Sequence, residues 1–415
     1  MRSLSVAASL AAVTLPLALT PAAADDKTTG DKTTGEKTLG ARIDRVVDTA
    51  IAEGRIAGAV ILVAEDGRLV HRRAAGHLDR EAGLPMREDA IFRFASVSKP
   101  FVAAAALALV DDGVLDPDAP ITRHLPGFRP ATSDGDRPVI TLRQLLSHTA
   151  GLDYGFFQPA DGPYARAGIS DGLDDRPGLT LAENLRRLAL VPLRSRPGAA
   201  WHYSLAIDVT GGLIEAATGR TLPDVVREKV TEPLGLEDTG FTVADTTRLA
   251  VPYVDAPQGG VPRRMAAAEA VPFGGSAVHY APGRILDPDA WPSGGAGMAG
   301  TAADVLALLE AIRTGGGGVL SPGMAAAFAR PATGNLPLDV TGPGWAFGLG
   351  AAVLTDPALA GSPQSPGTWA WGGAYGHSWF VDPVRKLTVV AMTNTALAGM
   401  TGAFPDALRD AIYAD

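Results

Sequence analysis

Phe94-Ala95-Ser96-Val97-Ser98-Lys99-Pro100-Phe101 places a serine three residues ahead of a lysine, at the mouth of a long alanine-rich apolar run. The run from Ser98 to about Leu109 is apolar nearly all round, which predicts a buried helix, and Asp111-Asp112-Gly113 stops it. A spacing of three on a helix sets Ser96 and Lys99 on one face, one turn apart. Ser96 would stand at the helix entrance, where free backbone N–H groups and the positive dipole end favour developing negative charge. The chain holds six lysines against thirty arginines, and Lys27, Lys32 and Lys37 lie in a repetitive N-terminal segment. A chain that uses Arg as its ordinary cation has therefore placed a Lys in apolar surroundings. Arg keeps its proton in proteins, whereas a desolvated Lys can release it. Serine needs a base to become a nucleophile, and a neutral amine one turn away can supply it.

Outward from this stretch, strand signals gather at the two ends of the chain. Residues 41–54 carry helical periodicity through Ile43, Val46, Val47, Ala50 and Ile51. Ala57–Ala64, the Asp66-Gly67 turn and Arg68–Ala74 predict a β-hairpin. Near the other end, Gly344–Val353, Thr368–Ala374, Ser378–Val381 and Leu387–Asn394 read as strands, and Phe404–Ala414 as a closing helix. Between them lie helices and long Pro/Gly loops. The expected architecture is α+β: an antiparallel sheet built from about 41–95 and 295–415, flanked by helices, with a mainly helical region, about 96–294, inserted.

The 415 residues are 46% hydrophobic and 20% charged, with a net charge of −9, which gives no electrostatic case for nucleic acid or an anionic membrane surface. Arg2, the apolar Leu4–Thr20 and Ala22-Ala23-Ala24 form the three parts of a signal peptide ending at about residue 24, so a secreted or periplasmic protein is expected. Residues 25–40 repeat a polar five-residue unit and read as a linker before a domain spanning 41–415. Without cysteine there are no disulfides. No other apolar run approaches the roughly 20 residues of a membrane span.

Three further segments accompany Ser96–Lys99. They are Thr141-Leu142-Arg143-Gln144-Leu145-Leu146-Ser147-His148-Thr149, Trp201-His202-Tyr203-Ser204-Leu205 and Trp371-Gly372-Gly373-Ala374-Tyr375-Gly376-His377. In this order the four motifs resemble the serine hydrolases of the class C β-lactamase and DD-peptidase superfamily and, within it, the family VIII carboxylesterases. The resemblance runs from about residue 41 to the C-terminus and implies the β-lactamase/transpeptidase-like fold. It makes Ser96 the nucleophile, Lys99 its partner and Tyr203 a second acid/base group. The backbone N–H groups of Ser96 and Ala374 would form an oxyanion hole, in which one donor is worth about 3–4 kcal/mol.

Two departures from the lactamase pattern remove polar groups. Leu205 stands where that pattern has Asn, and Trp371-Gly372-Gly373 replaces its Lys-Thr-Gly or His-x-Gly. An apolar wall of Leu205 and Trp371, with Gly372 and Gly373, suits a small ester better than a β-lactam carboxylate, which charge-assisted donors should hold. The same machinery also serves D-Ala-D-Ala carboxypeptidases and weak β-lactamases, and a non-catalytic peptidoglycan- or ligand-binding relative is a third reading. Whether Lys99 or Tyr203 takes the Ser96 proton stays open at this point.

Other motifs carry less. Gly168-Ile169-Ser170-Asp171-Gly172 has the spelling of a nucleophile elbow but lacks its strand–turn–helix setting. The seven histidines show no metal-ligand spacing, and the glycine runs at 294–300 and 315–318 lack the Lys of a phosphate loop, so neither a metal nor another cofactor is expected. His148 reads as structural, while His377 is open between a site-lining residue and a loop imidazole.

Overall fold

The structure, a computed structural model, describes residues 38–255, 260–274 and 276–414. The expected signal peptide and nearly all of the polar repeat lie outside the described residues.

Thr38 caps the first helix, α1 (Leu39–Ala52), by accepting from the Ala41 N–H. Strand β1 (Gly58–Glu65) then turns through Asp66 and Gly67, both at positive φ, into β2 (Arg68–Asp79). A short β3 (Leu84–Pro85) follows. The C-terminal part adds β4 (Trp345–Phe347), β5 (Ala352–Leu354), β6 (Trp369–Gly373), β7 (His377–Asp382) and β8 (Leu387–Thr393). These form one eight-stranded antiparallel sheet in the order β4-β5-β6-β7-β8-β1-β2-β3. β1 is the seam between the two ends of the chain, with Val60 opposite Met392 and Leu62 opposite Val390.

Alternation along β1 serves two cores. Ala59, Ile61 and Val63 face α1 and the last helix, α5 (Ala403–Tyr413), where Ile43, Val47, Phe404, Leu408 and Ile412 close over them. Val60, Leu62 and Ala64 face the larger core, which contains α2 (Ser98–Asp111), α3 (Ala206–Thr218) and α4 (Ala302–Arg313). A strand buried on both faces reads as a continuous apolar run, as Ala59-Val60-Ile61-Leu62-Val63-Ala64 does. α2 is buried over almost its whole length, as its uniform composition requires.

The expected fold class holds, with two differences of detail. Gly344–Val353 is not one strand but the β4–β5 hairpin, because Gly348 and Gly350 let the chain fold back tightly over Phe328. The inserted region also carries strands of its own, among them an antiparallel pair, Glu269–Phe273 with Ser276–Tyr280.

A Cβ at Gly350 would fall on the Phe328 ring, whereas one at Gly323 would meet no atom closer than 3.7 Å. Gly350→Ala should therefore cost about 1–3 kcal/mol by overpacking. Gly323→Ala, in a helix, should be neutral or stabilising. Denaturant melts of the two variants beside the parent check both expectations.

Candidate active site

Ser96 lies in a one-turn 3-10 segment, Ala95–Val97, that runs directly into α2. Ala95 holds a left-handed φ of 46°, rare for a residue with a side chain and costing about 1–3 kcal/mol. Burial of Ala95 against Leu173, Tyr280, Ala296 and Tyr375 holds this turn in place. From the other side comes the end of β6. Gly373 approaches so closely that a Cβ there would collide with the Phe94 carbonyl and press on Val97. Ser98, the other serine of the stretch, is fully buried and accepts from the Met298 N–H at 3.0 Å.

Three of the expected residues meet at Ser96 Oγ. Lys99 Nζ lies 3.1 Å from it, and the Tyr203 hydroxyl donates to it at 2.6 Å. Lys99 also donates to the Tyr154 hydroxyl at 2.9 Å and the Gly295 carbonyl at 2.8 Å. Among the described residues no carboxylate touches this amine, which is 3% exposed. Burial pushes its pKa down to about 7, against the opposing pull of Asp208 and then Asp171. Burial pushes the Tyr203 phenol upward, and the hydrogen bonds with Ser96 and Trp371 only partly oppose it. The state favoured above neutral pH is thus a neutral amine beside a protonated phenol. Lys99 Nζ also sits 4.6 Å from the centre of the Tyr203 ring, a cation–π placement whenever the amine is charged.

Tyr203 is boxed by rings. His148 packs 4.9 Å from it, Trp371 5.0 Å, Tyr154 5.1 Å and Trp201 6.3 Å, centre to centre. The Trp371 indole N–H donates to the Tyr203 hydroxyl at 3.2 Å, so this residue acts on the tyrosine as well as forming wall. His148 is buried at a φ of 56° with Nδ1 3.4 Å from Ser204 Oγ, a structural position. His377 is neither a loop residue nor on the cavity wall. It begins β7, buried, with Nε2 2.7 Å from the Arg93 carbonyl.

Ser96 opens into a cavity of about 500 Å³. Tyr203, Trp371, Gly372, Ala374, Phe156 and Phe273 share its wall. The peptide preceding Ala374 is fixed by the Gly376 N–H, which donates to the Gly373 carbonyl at 2.8 Å. The carbonyl of Ala374 accepts from the Leu397 N–H at 3.1 Å and from the Tyr280 hydroxyl at 2.9 Å. Both peptide planes around this residue are therefore held. Leu205 departs from expectation. It is fully buried in the main core at the start of α3 and lies off the cavity wall, because its side chain anchors the helix rather than facing the cavity. Gly373 is likewise off the wall, and its part is the close approach to the Ser96 turn.

Three residues escaped sequence reasoning. Tyr154 lies five residues beyond the phrase Thr141–Thr149, and its hydroxyl accepts from Lys99. Asp208 is fully buried in the first turn of α3, where Ser293 Oγ donates to it at 2.5 Å and the Gly295 N–H at 3.3 Å. Burial raises its pKa. A lone acid in the apolar run Ala206–Ile214 is the same kind of signal that singled out Lys99. Asp171 belongs to the false elbow. It lines the cavity and accepts from the Gly155 and Phe156 N–H groups at 2.8 and 3.1 Å, and burial raises its pKa to about 7. Its neighbour Ser170 is fully buried with its hydroxyl bonded to Asp174, which removes it as a nucleophile. Among the described residues no cluster of His, Cys, Asp or Glu could hold a metal, and no helix is long and apolar enough to cross a membrane.

The Beta-lactamase family profile matches residues 43–413. Esterase EstB of Burkholderia gladioli is 52% identical over 375 residues, 90% of this chain and 95% of the esterase. The solved structure of EstCE1, a hydrolase with promiscuous acyltransferase activity, superposes with a TM-score of 0.87 at 47% identity, covering 92% of this chain and 100% of its own. A simvastatin synthase from Aspergillus terreus (LovD6 mutant) shares the fold at a TM-score of 0.71 and 22% identity, covering 94% of this chain and 98% of its own.

Burial of Lys99 has a thermodynamic signature. Its folded pKa, about 7, lies below the 10.5 of an unperturbed lysine. Between these pH values the unfolded chain binds the extra proton, so stability rises with pH across that window. The slope from this group is at most about 1.4 kcal/mol per pH unit. Replacing it in Lys99→Met should remove that slope, as read from the difference between the two proteins' urea-unfolding free energies across pH 7–10.

Proposed function

The chain belongs to the β-lactamase family, and from that premise we propose that it is an exported carboxylesterase that hydrolyses small neutral esters at Ser96 through an acyl-enzyme. The observation that supports this most directly is the hydroxyl of Ser96 held between a buried amine at 3.1 Å and a phenol at 2.6 Å, open to a cavity whose wall includes Phe156, Phe157, Phe273 and Trp371. The similarity to Esterase EstB and EstCE1 points to the same ester chemistry. The leader at residues 1–24 supports export.

The steps follow from the protonation states. Lys99, neutral above about pH 7, takes the Ser96 proton as Oγ attacks the ester carbonyl carbon. The carbonyl oxygen gains the negative charge and turns to the N–H groups of Ser96 and Ala374. As the C–O bond to the alcohol breaks, Tyr203 gives its proton to the departing oxygen, and the Lys99 ammonium beside its ring stabilises the phenolate. In the second half, the phenolate takes a proton from water, whose hydroxide adds to the acyl carbon. Ser96 then leaves with the proton held on Lys99. Carboxylic acid and alcohol are the products, and the three side chains return to their starting states. An alcohol can replace water in the second half, giving acyl transfer.

The cavity also supports the choice of substrate. Phe156, Phe157, Phe273 and Trp371 share the wall with Ser96, and among the described residues the one Lys or Arg on the wall is Arg409, on α5. A carboxylate-bearing β-lactam would lose its water there and meet only a cation already paired with Asp406 and Asp410.

Hydrolysis of p-nitrophenyl acetate should exceed that of nitrocefin by several orders of magnitude in kcat/KM, and the reverse ranking would overturn the ester assignment. A fluorophosphonate should label Ser96, as located by mass spectrometry, and Ser96→Ala should lose the label and about 10⁴-fold or more in kcat. Tyr203→Phe should cost about 10²–10⁴-fold.

The rate should rise with pH through about 7 as Lys99 deprotonates. Asp208 raises the pKa of Lys99, so Asp208→Asn should move this ascending limb to lower pH. A limb that stays in place would separate Asp208 from the base.

A further inference from the structure

The stretch 168–172 spells a nucleophile elbow without supplying a nucleophile, yet its backbone is pinned on both sides of Asp171. Asn184, buried on the helix Leu181–Leu188, accepts from the Ser170 N–H at 2.9 Å and donates to the Ser170 carbonyl at 3.0 Å. Arg284 Nε donates to the Gly172 carbonyl at 3.0 Å, and the Ala281 N–H donates to the Leu173 carbonyl at 2.8 Å. Gly172, at a φ of 87°, packs so closely that a Cβ there would collide with Ser293 Oγ. Asp171 stands between these fixed points, half-buried on the wall of the Ser96 cavity.

Both carboxyl oxygens of Asp171 accept from backbone. The Gly155 N–H donates to Oδ1 at 2.8 Å and the Phe156 N–H to Oδ2 at 3.1 Å. These two groups open the one-turn 3-10 segment Gly155–Phe157, to which Tyr154, in the N-cap place, makes no side-chain bond. The turn's own bonds run from the Phe157 N–H to the Tyr154 carbonyl at 3.2 Å and from the Gln158 N–H to the Gly155 carbonyl at 2.9 Å. Gly155 lets the carboxyl come this near, since a Cβ there would lie 2.7 Å from Oδ2. The segment carries Phe156 and Phe157 onto the cavity wall. Their rings pack 4.8 Å from one another and each 6.0 Å from Phe273, centre to centre.

We propose that Asp171 is a positioning residue: by clamping the turn 155–157 it sets how closely Phe156 and Phe157 meet the substrate, and so which ester substituents are preferred. This rests on the ester-hydrolase reading of Ser96. A single turn has few bonds of its own with which to hold two large rings. Charge-assisted bonds to an anchored carboxylate are roughly twice as strong as neutral ones. Rings held in place bury an apolar substituent at a gain of about fourfold in kcat/KM per methylene, and rings free to move give up part of that gain.

The test compares kcat/KM along two series, p-nitrophenyl esters from acetate to hexanoate and alkyl acetates from ethyl to hexyl. At about pH 8.5 Asp171 and Lys99 are both deprotonated, so the pull of Asp171 on Lys99 does not enter. Asp171→Asn places an NH₂ where one of the two N–H groups needs an acceptor. Gly155→Ala pushes the carboxyl away and keeps its charge. Each should lower the preference for the longer members of one series about tenfold and speed amide hydrogen exchange at Phe156. In a chain carrying Phe156→Ala and Phe157→Ala, Asp171→Asn should change the preference no further. Turnover of p-nitrophenyl acetate by the parent tests the ester reading, while exchange at Phe156 needs no substrate and tests the clamp apart from it. Unchanged exchange, an equal loss on every ester, or a full further loss in the double-alanine chain would overturn the role of Asp171.

Discussion

Everything at the reaction centre depends on keeping one amine out of water. Lys99 stands in the first turn of a helix that is apolar on every side, and its three hydrogen-bond partners are a hydroxyl, a phenol and a carbonyl. A carboxylate in contact would hold the proton on it. Instead the nearest acids, Asp208 and Asp171, act at a distance and temper the desolvation without cancelling it. Asp208 Oδ2 is itself buried without a partner, and Gly295, whose carbonyl receives the lysine, leaves no room there for a side chain. The amine is thus balanced between a dry core and two carboxylates.

The rest of the fold delivers partners to that amine from distant parts of the chain. The turn at Ala95 presents Ser96, the start of α3 presents Tyr203 and Asp208, and the end of β6 presents Trp371 and Ala374. Because β6 pairs with β5 only through Trp369 and Ala370, its last three residues keep one backbone edge clear beside Ser96. The tyrosine is immobilised by surrounding rings rather than by a network of charges. That suits the proposed mechanism, in which the phenol changes protonation state without reorganising its neighbours.

Much of this was readable in the residues. The apolar run after Ser98, the Asp66-Gly67 turn and the C-terminal strands announced themselves through periodicity and turn chemistry, and the scarcity of lysine singled out Lys99. Side-chain direction was not readable. Leu205 follows the catalytic-looking Tyr203 by two residues, yet the turn into α3 sends one side chain to Ser96 and the other into the core. The β4–β5 hairpin was hidden because its glycines answer to Phe328, a residue on a separate helix. Tyr154 and Asp171 were hidden for a related reason: each becomes part of the site only when loops far apart in sequence fold together. Asp208 was visible in principle as an isolated acid in an apolar helix.

The seam at β1 has a consequence for how the molecule is made. Strand β1 lies between its own hairpin partner and β8, and the Ala57 N–H donates to Thr395 Oγ1 across 338 positions. No intermediate shorter than nearly the whole chain can complete the sheet, because its central pairing waits for the last strand and α5. A topology so rich in long-range contacts folds slowly and leaves the apolar β1 edge open until synthesis ends. A chain that stops short of β8 is therefore left with β1 paired on one edge only, however complete the rest of it is.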